Sequence, residues 1–324
     1  MVTRRLLMWI LVVLVLCFTG TGTFAETRLT FGSSNPGGVW YTMVGGLTTL
    51  LTEKIPGITV TLLSTGGSVE NIRRLRMGDM DMAFVHASHT YQSWHGTDMF
   101  EGKPNMDIAG VCQAYASPHY FVTLKKSGIK SMSDLAGKRV LLGPPASGSA
   151  YNSKLALDLL GIKVKEVYLS YSEMCSQMKD GHIDALGMSG APADGIVELA
   201  ATEDIYVIPF TPEEIKKITD TAPYFQGGAL KANVYRGQTE PVPTFQFVVS
   251  WIVRRELPED LVYRMVKTAF LPESRKYLES VNPTWSEMAP NLENFKQLGI
   301  PIHPGAVRFW REQGVKIPQY EIKH

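Results

Sequence analysis

Two short loops rich in glycine and hydroxyl side chains carry the groups best suited to bind an anion. The first covers residues 64–68 (STGGS) and the second covers residues 143–149 (GPPASGS). Each loop precedes a segment with helical periodicity, so serine hydroxyls and free backbone amides gather at a helix N-terminus. Such a site can hold a carboxylate without a full positive charge. The competing interpretation is that Ser147 or Ser149 caps its helix, and both roles are compatible.

Further candidates lie at other junctions between strands and helices. Trp40 and Tyr41, at the start of the first predicted helix, offer an aromatic wall with a phenol hydroxyl. His86 and Ser88 follow the third predicted strand and would point towards the same space. Core packing is the competing interpretation for each ring, and a lone histidine is more often a structural hydrogen-bonding group than a ligand contact.

The elements that position these residues form a pattern that occurs twice. Strand, glycine-rich loop, helix, strand, helix and strand follow one another over residues 29–85 and again over residues 139–188. In the second copy we predict the middle strand at residues 164–169 and the helix after it at residues 172–180. In both copies a glycine ends the second helix and an aspartate follows it three residues later. Parallel strands need helical crossovers, and ligands of such sheets bind outside the carboxyl ends of the strands. Because the spacing recurs, we favour duplication over the ordinary repetition of doubly wound proteins.

Two α/β lobes of like build, each a mostly parallel sheet flanked by helices, would therefore face each other across a cleft. We expect residues 26–115 to begin the first lobe, residues 116–239 to form the second, and residues 240–324 to return to the first and add C-terminal packing helices. The apolar fraction of 44% is sufficient for two cores.

The sequence contains no flexible linker between these lobes, so short hinge segments must join them. We place the hinges near residues 113–118 and 237–243, where prolines interrupt the pattern. After the second crossing, the periodicity predicts a strand at residues 244–253, a helix at 258–270 and a tail helix at 304–314.

The N-terminus is typical of a cleaved signal peptide covering residues 1–25. Arg4 and Arg5 precede the apolar run 6–18, and small residues lead to a cleavage site after Ala25. A membrane anchor is the alternative, but the run is shorter than the roughly 20 residues that span a bilayer. We therefore expect a periplasmic protein.

The balance of charges excludes some classes of partner, and the cysteines allow either a disulfide or two free thiols. The chain carries 32 basic and 31 acidic side chains, so nothing indicates a nucleic-acid partner or an anionic membrane surface. Cys112 and Cys175 could pair in an oxidising compartment, and buried free thiols are equally compatible with their positions. We expect a monomer.

Motifs of known enzyme classes are absent from the sequence. It contains no Gly-x-Ser-x-Gly, His-Glu-x-x-His or Cys-x-x-Cys pattern, and its seven histidines are scattered. The loop at residues 143–149 is superficially similar to a phosphate loop, but Ser149 stands where the lysine should be. We therefore expect no metal, cofactor or nucleotide, although an enzyme built on the same lobes stays possible.

Taken together, several blocks spread over the predicted mature chain resemble one family of transport proteins. They are residues 64–71, 78–81, 143–149, 181–185, 190–192, 235–238, 241–243 and 301–306. This combination is similar to the TAXI family of TRAP transporter solute receptors. The resemblance implies a two-lobed type II periplasmic-binding-protein fold, which closes about its hinge segments on a small organic anion and delivers it to membrane permease subunits of a TRAP transporter.

The resemblance also implies a set of ligand contacts and a range of ligands. Members of the family are associated with glutamate-like amino acids and with dicarboxylates such as 2-oxoglutarate. The residues expected in the site are Ser33, Asn35, Trp40, Tyr41, Thr65, Gly67, Ser68, His86, Ser88, Ser147, Gly148, Ser149 and Ser189. The chain departs from the family pattern at residues 33–36 and at His86 and Ser88, where members often carry other residue types.

Two other functions are compatible with the same lobes. One is a secreted enzyme, which would convert its ligand. The other is a ligand receptor that reports to a sensor protein in place of a permease.

Overall fold

The computed structural model describes residues 26–319. Ten strands of this described range join into one curled, mixed sheet, as expected for the α/β class, in the order β2-β1-β3-β10-β4-β7-β5-β6, with β8 beside β4 and β9 beside β10. The strands are β1 (Thr27–Gly32), β2 (Ile58–Leu63), β3 (Met82–His86), β4 (Ile108–Leu124), β5 (Arg139–Leu141), β6 (Lys165–Val167), β7 (Ala185–Ser189), β8 (Ile205–Ile208), β9 (Gln226–Leu230) and β10 (Val242–Arg254).

Helices cover both faces of the sheet, and the region described includes four short 3₁₀ turns at Asp98–Phe100, Lys125–Ser127, Met132–Leu135 and Pro283–Glu287. The α-helices are α1 (Val39–Lys54), α2 (Ser68–Met77), α3 (Ala87–His95), α4 (Gly148–Leu160), α5 (Met174–Lys179), α6 (Asp194–Thr202), α7 (Pro212–Thr219), α8 (Glu259–Ala269), α9 (Pro272–Val281), α10 (Leu292–Leu298) and α11 (Pro304–Glu312).

The first lobe is built on three parallel strands. β1 pairs with β2 on one side and with β3 on the other, and α1 and α2 are the crossovers between them. α1 buries an apolar face that includes Met43, Val44 and Leu47. The C-terminal helices α8 and α9 pack against α1.

The second lobe repeats this arrangement with shorter strands. β5 pairs in parallel with β6 and with β7, and α4 and α5 connect them. The predicted strand at 164–169 shortens to β6, and the predicted helix at 172–180 shortens to α5. Both differences fall at element ends, where sequence periodicity defines boundaries least well.

The aspartate that recurs in both copies of the pattern has the same structural role in each lobe. Asp81 accepts a hydrogen bond from the backbone N–H of Thr30 at 2.8 Å, and Asp184 accepts one from the backbone N–H of Arg139 at 2.8 Å. Each carboxylate thus ties the start of the third strand of its unit to the first strand. This equivalence supports the predicted duplication.

Two long strands, β4 and β10, connect the lobes, and the two predicted hinge segments overlap them. Residues 113–118 lie inside β4, and residues 242–243 of the second predicted hinge begin β10. β4 and β10 pair with each other in antiparallel fashion, with register shifts near Val249 and Trp251. Pro243 does not end the strand: it stays in register with Ala229 of β9, and its carbonyl accepts from the N–H of Phe210 at 3.1 Å.

Candidate ligand-binding site

The carboxyl ends of the strands in both lobes meet at one small cavity. From the first lobe, the loop after β1 contributes Gly38, the loop after β2 contributes Gly67, and β3 ends at His86. From the second lobe, the loop after β5 contributes Ser147, and β7 ends at Ser189. The cavity therefore lies where sheets of this topology bind their ligands.

Two helix N-termini from opposite lobes face this cavity. α2 begins at Ser68 with no side chain capping its first turn. α4 begins at Gly148, and its N-cap Ser147 accepts a hydrogen bond from the N–H of Ala150 at 2.9 Å. The first backbone N–H groups of a helix have no partner within it and carry a partial positive charge. The cavity thus has an anion-attracting group in each wall.

The lobes are in close contact around the cavity. A Cβ atom added to Gly66 would lie 2.6 Å from the carbonyl oxygen of Pro145 in the other lobe. The N–H of Gly195 donates to the carbonyl of Gly37 at 3.0 Å, and Thr42 donates to the carboxylate of Asp194. The free space between the lobes is about 20 Å³, which is enough for about one water molecule.

His86 forms the inner wall of the cavity as a neutral imidazole. Its ring lies 4.8 Å from that of Trp40 and 4.4 Å from that of Phe247, and its backbone N–H donates to Ser68 Oγ at 3.2 Å. Burial, with smaller contributions from His89 and His119, holds the pKa of His86 well below its usual value. His86 can therefore exchange a hydrogen bond with a ligand without adding a positive charge.

A second buried histidine lies next to the cavity and contacts one of the residues that line it. His119 lies on β4, and its Nδ1 is 2.8 Å from Ser189 Oγ while its Nε2 is 3.2 Å from Ser153 Oγ. Burial lowers the pKa of His119 to about 3, and that of His89 likewise to about 3. These contacts fix the orientation of Ser189 at the edge of the cavity.

Tyr171 closes the cavity from the second lobe. Its ring packs on the glycine loop of the first lobe, since a Cβ added to Gly38 would lie 2.9 Å from Tyr171 Cδ2. Burial raises the pKa of Tyr171, and hydrogen bonding to Ser149 and Ser147 partly opposes that rise. Tyr171 thus contacts both the loop at residues 143–149 of its own lobe and the glycine loop of the first lobe.

The structure brings part of the predicted set of contacts together. The predicted residues that line the cavity are Trp40, Gly67, Ser68, His86, Ser147, Gly148, Ser149 and Ser189. The predicted residues that lie outside its lining are Ser33, Asn35, Tyr41, Thr65 and Ser88.

The residues outside the lining have other surroundings. Tyr41 is 36% exposed, because successive helical side chains point about 100° apart and Trp40 takes the inward direction. Thr65 donates to Asn71 Oδ1 at 2.7 Å, and Ser33 donates to the carbonyl of Leu63 at 2.9 Å. Ser88 Oγ lies 3.0 Å from the Nδ1 of its neighbour in α3. These three hydroxyls hold backbone or neighbouring side chains in place.

Asn35 is different, because its buried Oδ1 has no hydrogen-bond partner among residues 26–319. It lies in the glycine loop that enters α1, next to the lining residue Ser34.

Sequence reasoning missed several lining residues, of which Tyr171 is the largest. It follows the predicted strand 164–169, so the rule that singled out His86 after the third strand would also have found it. Ser34 and Gly38 belong to the glycine-rich loop that precedes Tyr41, and Gly66 belongs to the predicted loop at residues 64–68. Val39 is the remaining lining residue that was not predicted.

Other kinds of site find no support in the part of the chain that the structure describes. No group of three or more histidine, cysteine, aspartate or glutamate side chains in residues 26–319 is arranged to hold a metal ion. Cys112 and Cys175 are both buried and free, so they do not form the disulfide that the sequence left open. No helix within the described range is long and apolar enough to cross a membrane. The predicted signal peptide lies outside the described residues.

Nearly all of the described chain matches the sequence model of one known family. A model of the NMT1-like family matches residues 31–314, which include every residue lining the cavity. The chain belongs to the NMT1-like family. Its sequence similarity therefore extends over both lobes and both crossing strands.

Solved structures with the same fold include two bacterial proteins, and neither is closely related to this NMT1-like chain in sequence. The ligand-binding component of an ABC-type import system from Staphylococcus aureus, solved with zinc bound, is 10% identical, with a TM-score of 0.50, over 91% of this chain and 94% of that one. A protein from Bordetella bronchiseptica is 13% identical, with a TM-score of 0.54, over 90% of this chain and 99% of that one. These matches confirm the predicted periplasmic-binding-protein fold.

Proposed function

We propose that this protein is an extracytoplasmic solute receptor that binds a small organic anion between its lobes. The main support for this proposal is that two helix N-termini, at Ser68 and Gly148, face one cavity from opposite lobes. Backbone N–H groups at such termini stabilise a carboxylate, and each hydrogen bond to a charged group contributes about 1.5–3 kcal/mol.

The size of the cavity supports a mechanism in which the lobes open and close. A free space of about 20 Å³ cannot admit a solute of several heavy atoms while the lobes touch. Entry therefore requires the lobes to separate, and closure around the solute would restore contacts such as that between Gly195 and Gly37. Hinge closure of this kind is common among periplasmic binding proteins.

The charges around the cavity favour an organic acid over an amino acid. No charged side chain is among the described residues that line it, so nothing there would pair with the ammonium group of a glutamate-like ligand. Glu70, beside the loop, is already engaged by the N–H of Gly66 at 2.7 Å and by Arg74 at 3.1 Å. Within the ligand range suggested by the sequence, we therefore propose a carboxylic acid without an amino group, such as a dicarboxylate.

The partner that we propose is the membrane permease of a TRAP-type transporter, in line with the resemblance to the TAXI family. A signal peptide at residues 1–25 would place the receptor in the periplasm, where such a permease receives its solute. A receptor is favoured over an enzyme because the lining offers His86 no carboxylate or thiol partner among the described residues.

Native mass spectrometry of the purified protein, followed by calorimetric titration, tests this proposal. We expect a small acid to co-purify, to bind again after removal by unfolding and refolding, and to be released chemically unchanged. Turnover of the acid would favour the secreted enzyme. Tight binding of glutamate in preference to 2-oxoglutarate would contradict the proposed ligand class while leaving the receptor function intact.

A further inference from the structure

A groove on the first lobe, away from the cleft, has a much larger free volume than the cleft itself. It lies between the C-terminal half of α2, the end of α3 and the turn Asp98–Phe100, and its volume is about 430 Å³. α2 separates the two sites, because its N-terminus faces the cleft and its C-terminal half lines the groove. The volume falls in the range of about 300–1,000 Å³ that is usual for small-molecule sites.

The polar side of the groove is positively charged. Arg73, Arg76 and Lys103 line it, and no aspartate or glutamate is among its described lining residues. Arg76 donates to the backbone carbonyl of Lys103 at 3.2 Å, which brings these two cations to the same edge. By contrast, Arg74 on the same helix pairs with Glu70 at 3.1 Å and points away from the groove. The groove is therefore a local concentration of uncompensated positive charge.

A buried hydroxyl within the groove has no hydrogen-bond partner. Ser93 is fully buried, lines the groove, and its Oγ forms no hydrogen bond with any residue in the range 26–319. Burying a hydroxyl without a partner is unfavourable, so an acceptor from outside the chain would relieve that cost.

The remaining walls of the groove are apolar. Ile72 and Phe100 are buried at 1% and 6% exposure and form its inner surface. Met77 and Met99 line it as well, at 65% and 39% exposure, which puts two of the six exposed large hydrophobic side chains of the described chain at this groove. Methionine adapts to varied apolar partners, so the two side chains suit an alkyl or aromatic group.

We propose that this groove binds an amphiphilic anion, with a carboxylate or phosphate head and an apolar body. The head lies beside Arg73 and Lys103 and accepts a hydrogen bond from Ser93, while the apolar body contacts Phe100 and Met99. The same chemistry is offered by a free medium-chain acid and by the headgroup region of an anionic lipid. The proposal does not depend on the ligand of the cleft.

Calorimetric titration of the mature protein with octanoate, acetate and octanol tests the proposal. We expect octanoate to bind and acetate and octanol to bind at least about tenfold more weakly, because each lacks one of the two recognised parts. Arg73→Gln with Lys103→Gln should weaken octanoate binding about tenfold or more, and Ser93→Ala should weaken it less. Arg74→Gln is the matched control on the same helix and should bind octanoate as the wild type does.

Co-sedimentation with phosphatidylglycerol vesicles distinguishes the two sources of the anion. Binding to vesicles that is lost in the double variant, without binding of free octanoate, would assign the groove to a lipid headgroup. The proposal is overturned if neither probe binds, if acetate binds as well as octanoate, or if the double variant binds like the Arg74→Gln control. Thermal unfolding of each variant verifies that the protein remains folded.

Discussion

His86 of the first lobe and Gly148 of the second face each other so closely that no side chain fits between them. A Cβ atom at position 148 would lie 2.4 Å from His86 Nδ1 and 2.8 Å from Ser68 Oγ. Contacts below 3.0 Å are not tolerated by a real Cβ, and neither neighbour is free to move, because both are buried. This glycine is therefore required by the closed arrangement of the lobes and not by the helix that it begins.

Gly148→Ala should block closure without unfolding the protein. Each lobe tolerates alanine there when the lobes are apart, so we expect thermal stability within about 1 kcal/mol of the wild type. Small-angle scattering should show a larger radius of gyration than the wild type, and solute affinity should fall about tenfold or more. Gly45→Ala is the control, because its Cβ would meet only Leu62 at an ordinary 3.7 Å. Equal radii for the two variants would contradict the prediction.

Ser147→Ala combined with Ser149→Ala should weaken solute binding more than it weakens folding. Loss of the N-cap at Ser147 costs about 1 kcal/mol of stability, whereas each lost hydrogen bond to a charged ligand costs about 1.5–3 kcal/mol. Thr211→Ala removes the N-cap of α7, whose hydroxyl accepts from Glu214 N–H at 3.2 Å. That control should lose similar stability and no affinity. An unaltered dissociation constant in the serine variant would show that its hydroxyls only cap the helix.

Tyr171→Ala should lower solute affinity, and Tyr41→Ala should not. Tyr171 is buried against the glycine loop of the opposite lobe, whereas Tyr41 is the exposed neighbour of Trp40 outside the cavity. Titration of the two variants with the co-purified acid compares the same chemical change at two positions. A loss of affinity in Tyr41→Ala as large as that in Tyr171→Ala would contradict the placement of both rings.

The free energy of unfolding should decrease as the pH falls from about 6.5 towards 3. Burial lowers the pKa of His119 and of His89 to about 3, and it lowers that of His86. The unfolded chain therefore takes up protons near pH 6.5 that the folded chain refuses, so acid favours unfolding.

His119→Gln should reduce the loss of unfolding free energy between pH 7 and pH 5 by about 2 kcal/mol, because one proton fewer is taken up on unfolding below the unfolded-state pKa of about 6.5. Denaturant titrations at pH 7 and pH 5 measure the slope. Identical slopes in the wild type and the variant would show that His119 is not held neutral.

Export should remove residues 1–25, because a basic start, a short apolar run and small residues before Ala25 follow in the order that a signal peptidase recognises. Protein sequencing of the periplasmic fraction should begin at Glu26. An intact N-terminus on membrane-bound protein would instead support a membrane anchor.

The fold could be predicted largely from glycines that end helices and aspartates that precede strands. Gly78 and Gly161 end α2 and α4 in the left-handed conformation at φ 78° and 73°, as the sequence indicates. The recurring aspartates then mark the strands that follow. These signals depend on a few neighbouring residues, so no knowledge of distant contacts is needed to interpret them.

The features of the site and of the crossing strands that were not predicted depend on contacts between residues far apart in the chain. His119 enters the site only because β4 passes between the lobes and meets Ser189, 70 residues away in the chain. The choice between Trp40 and Tyr41 depends on how α1 is rotated against the sheet, and Trp40 Nε1 donates to Tyr115 Oη at 2.8 Å. The pairing of the two crossing strands was not predicted for the same reason, since the partner of each strand lies more than one hundred residues away.

The pairing of β4 with β10 also constrains how the molecule can move. Two separate single-stranded connections would let one lobe swivel freely, but a hydrogen-bonded ribbon resists shear between its strands and yields most easily by bending and twisting. The register shifts near Val249 and Trp251 interrupt the ladder, and such irregularities bend and twist the ribbon locally. The opening and closing that we propose would then follow a narrow path, which would bring the two helix N-termini back to the same geometry around the solute each time.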